Sequence, residues 1–170
     1  IYVIHRGGGS TGNLPPQDLG SKNYLFRGVI STPTDGTSNL RFGLNAGDAI
    51  ASGGNNNVVI GKDAGTAITT GDGSTAIGHL ALAANTTADD NTAVGFCSLA
   101  ANTTGCRNVA VGSCALAANT TGVQNEAIGY LAMCANTEGS CNIAIGAALG
   151  SNKTGGNNVV IAFIDLSKSP

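Results

Sequence analysis

Few side chains in this sequence could do chemistry. Asp89 and Asp90 are adjacent carboxylates, His5 and His79 are the two histidines, and Cys97, Cys106, Cys114, Cys134 and Cys141 are the five thiols. A general acid–base pair needs both carboxyls on one side, whereas neighbours on a strand point to opposite faces. Asp89 and Asp90 therefore read as a solvated corner. The histidines are far apart and neither sits at a ligand-like spacing, so both read as surface side chains. No C-x-x-C pair marks a structural zinc site. No G-x-S-x-G, phosphate-binding loop, dinucleotide glycine pattern or Asp-bearing calcium nonapeptide occurs in context. The sequence offers no catalytic residue, no cofactor site and no metal-ligand set, and it does not read as an enzyme.

Cys97 and Cys114 are separated by seventeen positions, and that spacing governs the rest of the chain. If the chain winds once per seventeen residues, the two fall in one column of successive coils, about 4.8 Å apart. That separation lies inside the Cα window for a disulfide, so the pair is a candidate bridge. Two readings of the thiols stay open. Some are reduced, small apolar fillers, or some staple coils or chains in an oxidising compartment. Asn85, Asn102, Asn119 and Asn152 each begin an N-x-T acceptor sequence. Asn-Thr-Thr is also ordinary turn chemistry, and the first three recur at the same seventeen-residue interval.

The elements that carry these residues form a tandem repeat. Gly61, Gly78, Gly95, Gly112, Gly129 and Gly146 are evenly spaced, and each closes a short apolar stretch: NVVIG, STAIG, NTAVG, NVAVG, NEAIG and NIAIG. Weaker copies are NLRFG, ending at Gly43, and NVVIA, ending at Ala162. Between them runs a second stretch, clearest as SLAANTTG and ALAANTTG. The column before the glycine is Ile60, Ile77, Val94, Val111, Ile128 and Ile145, and a second apolar column is Leu82, Leu99, Leu116 and Met133. Both columns are expected to form core ribs, with the six glycines at corners. Glu126 interrupts the column two residues before the Ile/Val rib, which implies that this column is not sealed from water.

Residue types select strand over helix. Each unit carries two glycines, which disfavour helix interiors, and Asn and Thr side chains that compete for backbone hydrogen bonds. The β-branched residues sit in N-x-A-[IV]-G, where strand propensity is highest. A-L-A-A alone is too short to hold a helix. Composition agrees. Charged residues are 11%, aromatics 4% and Trp is absent, so a roundish core of large apolar side chains would be poorly filled. The expectation is an all-β chain: a parallel β-solenoid, or β-roll, of 17-residue coils, stabilised by nearest-neighbour stacking. A net charge of −2 with no basic stripe argues against nucleic acid. No apolar run reaches the roughly 18 residues of a membrane span, so membrane insertion is not expected.

The N-x-A-[IV]-G units resemble the head repeats of trimeric autotransporter adhesins. The longer form with A-L-x-x-N-T-T-G resembles repeats of phage and viral tail-fibre-like proteins. The resemblance covers about residues 39–163. It implies a left-handed parallel β-roll in which three chains share an apolar core, hence a homotrimeric fibre or adhesin shaft outside the cell or on a virion. A host receptor or glycan is then a partner, although no binding residue carries over. Five cysteines and the lack of an obvious trimerising coiled coil depart from that family.

Residues 1–38 do not repeat and read as an attachment arm or cap containing two short strands, because an open solenoid edge needs covering, or else as a disordered leader. Residues 164–170 read as a tail closing the other end. The first residue, Ile1, reads as a sign of processing or trimming. An alternative function is a self-assembling extracellular filament, with subunits stacked head-to-tail and the arm adding a strand to a neighbour. Ice or glycan binding by threonines is disfavoured, because adjacent pairs such as Thr103–Thr104 leave only a single file on any one side.

Overall fold

Three-residue strands, one per repeat, are what the N-x-A-[IV]-G stretches become. The structure is a computed structural model that describes residues 38–50 and 53–162. In chain order the strands are β1 (Leu40–Phe42), β2 (Val58–Ile60), β3 (Thr75–Ile77), β4 (Thr92–Val94), β5 (Val109–Val111), β6 (Glu126–Ile128), β7 (Ile143–Ile145) and β8 (Val159–Ile161). All neighbours pair in parallel, in sequence order, as one eight-stranded sheet. Each column lies on its own copy in the next coil, as in Val59↔Ala76 and Ala76↔Ala93. No helix occurs among the described residues. The chain is a β-solenoid of about seven turns. The expected arm at 1–38, apart from Ser38, and the tail at 164–170 lie outside the described residues, as does His5.

The coil tolerates one residue more or less at its ends. Leu40 pairs with Val58, so the first coil takes eighteen residues, while Ile143 pairs with Val159, so the last takes sixteen. The deletion falls after Gly146, whose φ of 86° departs from the 131–137° of Gly61, Gly78, Gly95, Gly112 and Gly129. At this corner the backbones of successive coils nearly touch. A Cβ on Gly95 would stand 2.6 Å from the Gly112 carbonyl oxygen, so the column holds glycine from Gly43 to Gly146 and alanine only at Ala162, its last position.

One core column is corrected by the pleat. In a three-residue strand only the middle side chain turns inward, and that residue is Val59, Ala76, Ala93, Ala110, Ala127 or Ala144, all fully buried. The column before the glycine faces outward instead. Ile60 and Val94 are half-buried, and Ile77, Val111, Ile128 and Ile145 are 36–42% exposed. The coil is narrow, so its sheet wall takes alanine and leaves the β-branched residues outside. Leu82, Leu99, Leu116 and Met133 do lie in the core, fully buried. They reach it from left-handed backbone, with φ of 48–50°. That region is unfavourable for bulky residues and persists because stacking fixes it from both sides. The Leu99 N–H, for example, donates to the Ala115 carbonyl at 3.0 Å.

The remaining interior is polar. Asn85, Asn102, Asn119 and Asn136 are fully buried and stack into an amide ladder, the Nδ2 of Asn102, Asn119 and Asn136 each donating to the Oδ1 of the coil before at 2.9 Å. The same amide also donates to a glycine carbonyl three residues on, as Asn119 does to Gly122. A second ladder runs just before the strands through Asn91, Asn108, Asn125 and Asn142. There the carbonyl oxygen accepts twice, from the next amide and from the next backbone N–H. Among the described residues no buried side-chain N or O lacks a partner, as a stable low-dielectric interior requires.

Candidate functional site

The sheet's outer face is the candidate site. Each strand turns its first and third side chains outward, giving sixteen positions on eight strands. All are apolar except Thr75, Thr92 and Glu126. The face spans roughly 34 Å along the solenoid by roughly 10 Å across, at about 4.8 Å per strand and 3.3 Å per residue. It is barest at its ends, where Phe42 is 67% and Val159 68% exposed. An apolar strip of this size matches the largest patch of a typical monomer, which is often functional.

Two margins frame the strip. On the side after the corner glycines lie Lys62, His79, Phe96 and Tyr130, with the His79 and Phe96 rings 5.5 Å apart. Asp63 sits beside this margin. Its carboxylate accepts from Asn45 at 2.8 Å and pairs with Lys62 at 3.3 Å and His79 at 3.7 Å. The Asn45 amide is the main reason its carboxyl titrates below the ordinary 3.8; desolvation opposes the shift, and Lys62 and His79 reinforce it. On the other margin a column of left-handed residues includes Asp90, Arg107, Gln124 and Cys141.

The remaining sequence candidates are separated from this face or occupied. Cys97 and Cys114 are on successive coils at equivalent left-handed corners, with φ of 53° and 56°. The Cys114 N–H donates to the Phe96 carbonyl at 2.8 Å and the Cys97 N–H to the His79 carbonyl at 3.0 Å. All five cysteines are free thiols. Burial, and secondarily the neighbouring Cys114 thiol, push the Cys97 thiol above its ordinary value. Asp89 and Asp90 are exposed in a turn, where the Asp89 carboxylate accepts the Asp72 N–H at 2.8 Å. Asn85, Asn102 and Asn119 have their amides inside the core, which closes them to glycosylation in the folded chain. The Thr86, Thr103 and Thr120 hydroxyls are spent on carbonyls of the next coil at 3.0–3.3 Å. Among the described residues no group of three or more potential ligands could hold a metal ion, and no helix is long and apolar enough to cross a membrane.

Sequence reasoning missed the inward alanine column and the second asparagine ladder. Both were signalled, since Asn and Ala recur at fixed positions of N-x-A-[IV]-G. Comparison with protein-family models, curated proteins and solved structures finds no match.

Proposed function

We propose that the chain is a structural shaft segment of an extracellular or virion-surface fibre or adhesin, whose copies pack through the outward apolar face. One observation carries this reading. β-branched residues line the outside of a sheet whose inside is already filled by alanine, and burial of that strip against further copies would remove it from water. The resemblance of the repeat to trimeric adhesin heads gives the number of copies as three. The shaft acts by rigidity and repetition, not by catalysis.

Arg41 weighs against head-to-tail filaments. It occupies the inward column in β1, where its guanidinium donates to the Ala46 carbonyl at 2.6 Å and to Asp48 at 3.0 Å. A foreign coil stacked there would bury that charge at substantial cost.

Light scattering on a size-exclusion column, over a range of concentrations and with and without reductant, tests the proposal. A constant mass of three chains that Val111→Lys reduces to one supports it. A monomer throughout, or polymers that grow with concentration, overturns it.

A further inference from the structure

Glu126 is the single charged residue among the sixteen outward positions. It opens β6, is exposed, and lies in register between Val109 of β5 and Ile143 of β7. Ile128 shares its strand and face. No ion pair holds its carboxylate among the described residues. The charged groups near it stand outside the strip. Arg107 lies two positions before Val109, on the β5 side; on the β7 side Cys141 takes that column, and in β6's own coil Gln124 does. On the opposite margin the same three coils present Ser113, Tyr130 and Ala147, while His79 lies three coils away and Asp63 four.

We propose that association of copies through the outward face is coupled to proton uptake at Glu126. The inference rests on the reading above that copies meet at this face. Copies arranged in parallel about a common axis bring equal heights together, so their Glu126 carboxylates converge at one level. The surroundings there are Val109, Val111, Ile128, Ile143 and Ile145. Removal from water and the approach of like charges both favour the neutral carboxyl. Association therefore binds protons and strengthens as pH falls, by up to about tenfold per pH unit for each proton taken up. A cross-interface pair with Arg107 of the neighbouring copy would instead keep the carboxylate charged, and acid would weaken the assembly.

Sedimentation of the full chain at about pH 8 and about pH 6 decides between these signs. Both values lie above the sequence pI of about 5.5, so the net charge stays negative. Wild type should tighten by at least about tenfold on acidification, for one proton or more per assembly. Glu126→Gln should associate tightly at both values, with no slope. Because the variant retains every other titrating group, it separates Glu126 from a general loss of charge and from His79, a residue type that ordinarily titrates in this range. A flat wild-type profile, weakening in acid, or a slope retained in Glu126→Gln overturns the proton coupling. If Val111→Lys is monomeric in that case, association through the face stands. If wild type, Glu126→Gln and Val111→Lys all behave alike at both values, the face is not the contact and both readings fall.

Discussion

The Cδ1 of Ile68 stands 2.8 Å from the point that a Cβ on Gly65 would occupy. In the following coil the same two columns hold Asn85 and Leu82. A third position completes the exchange: Val59 Cγ1 lies 3.2 Å from that point, and its column partner is Ala76. One coil fills its interior with Val59, Gly65 and Ile68, and the next with Ala76, Leu82 and Asn85. Volume is conserved across the set, not at any one position.

Gly65→Leu alone should therefore overpack the coil and destabilise it by about 1–3 kcal/mol. The triple variant Val59→Ala, Gly65→Leu, Ile68→Asn should recover most of that loss. Its new amide can accept from Asn85 and extend the ladder by one rung. Thermal unfolding of the single and triple variants measures the coupling, which should exceed about 1 kcal/mol between touching positions. Additive losses would mean that the three columns do not share one space.

Asn119 donates to Asn102 Oδ1 and to the Gly122 carbonyl, and accepts from Asn136. Asn119→Ala leaves Asn102 Oδ1 without its donor and one Asn136 N–H without its acceptor inside the core, at about 1–3 kcal/mol for each group left unsatisfied, while the Gly122 carbonyl keeps the Asn108 amide at 2.8 Å. Asn119→Asp should be worse near neutrality, because it buries a carboxylate whose new oxygen faces the Asn102 Oδ1 and Gly122 carbonyl acceptors, with Asn136 alone still donating to it. Burial raises that carboxyl's folded-state pKa above its unfolded value. The folded state then binds the extra proton, so this variant's stability should rise as pH falls, opposite to wild-type acid sensitivity at Asp63. Urea midpoints at about pH 7 and about pH 5 check the sign.

The period, strand positions and parallel stacking were legible because each depends on local residue type repeated at a fixed interval. Gly61 through Gly146 mark the corners without any knowledge of the interior. Which way a side chain points was harder to read. Ile77 looks like core and Ala76 looks like filler, yet the coil is too narrow for isoleucine on its sheet wall. Leu82 was legible as core, but not the left-handed backbone that delivers it, since leucine seldom adopts that conformation. Asn57 and Asn91 were not singled out because asparagine is usually a turn residue; only the stacked geometry gives each amide its partners. Glu126 signalled the outward column directly.

Gly95 and Gly150 should respond oppositely to alanine. At Gly95 the new Cβ would meet the Gly112 carbonyl at 2.6 Å, at a φ of 137°. Neither backbone can yield without breaking the stack, so Gly95→Ala should lose at least about 3 kcal/mol, strain alone contributing about 1–3. At Gly150 the nearest atom is Cys134 Sγ at 4.0 Å, without a positive φ. Gly150→Ala should be neutral or stabilise by about 0.4–1 kcal/mol through the unfolded chain. Equal effects in thermal melts would remove the close approach as the reason for glycine at the corner.

Cysteine labelling reports on the same stacking from a different direction. Thiolate, not thiol, is the nucleophile. Burial pushes the Cys97 thiol upward, whereas Cys141 is exposed and its S–H donates to Gln124 Oε1 at 3.8 Å. Iodoacetamide at about pH 8, followed by peptide mapping, should modify Cys141 first and Cys97 far more slowly. Raising the pH should narrow the gap, because the Cys97 thiolate then becomes populated. Urea below the unfolding midpoint separates two causes of the slow reaction. If Cys97 speeds up in step with global unfolding, its coil opens only with its neighbours, as nearest-neighbour stacking demands. If it speeds up well before, the two thiol-bearing coils form a weak segment in the shaft.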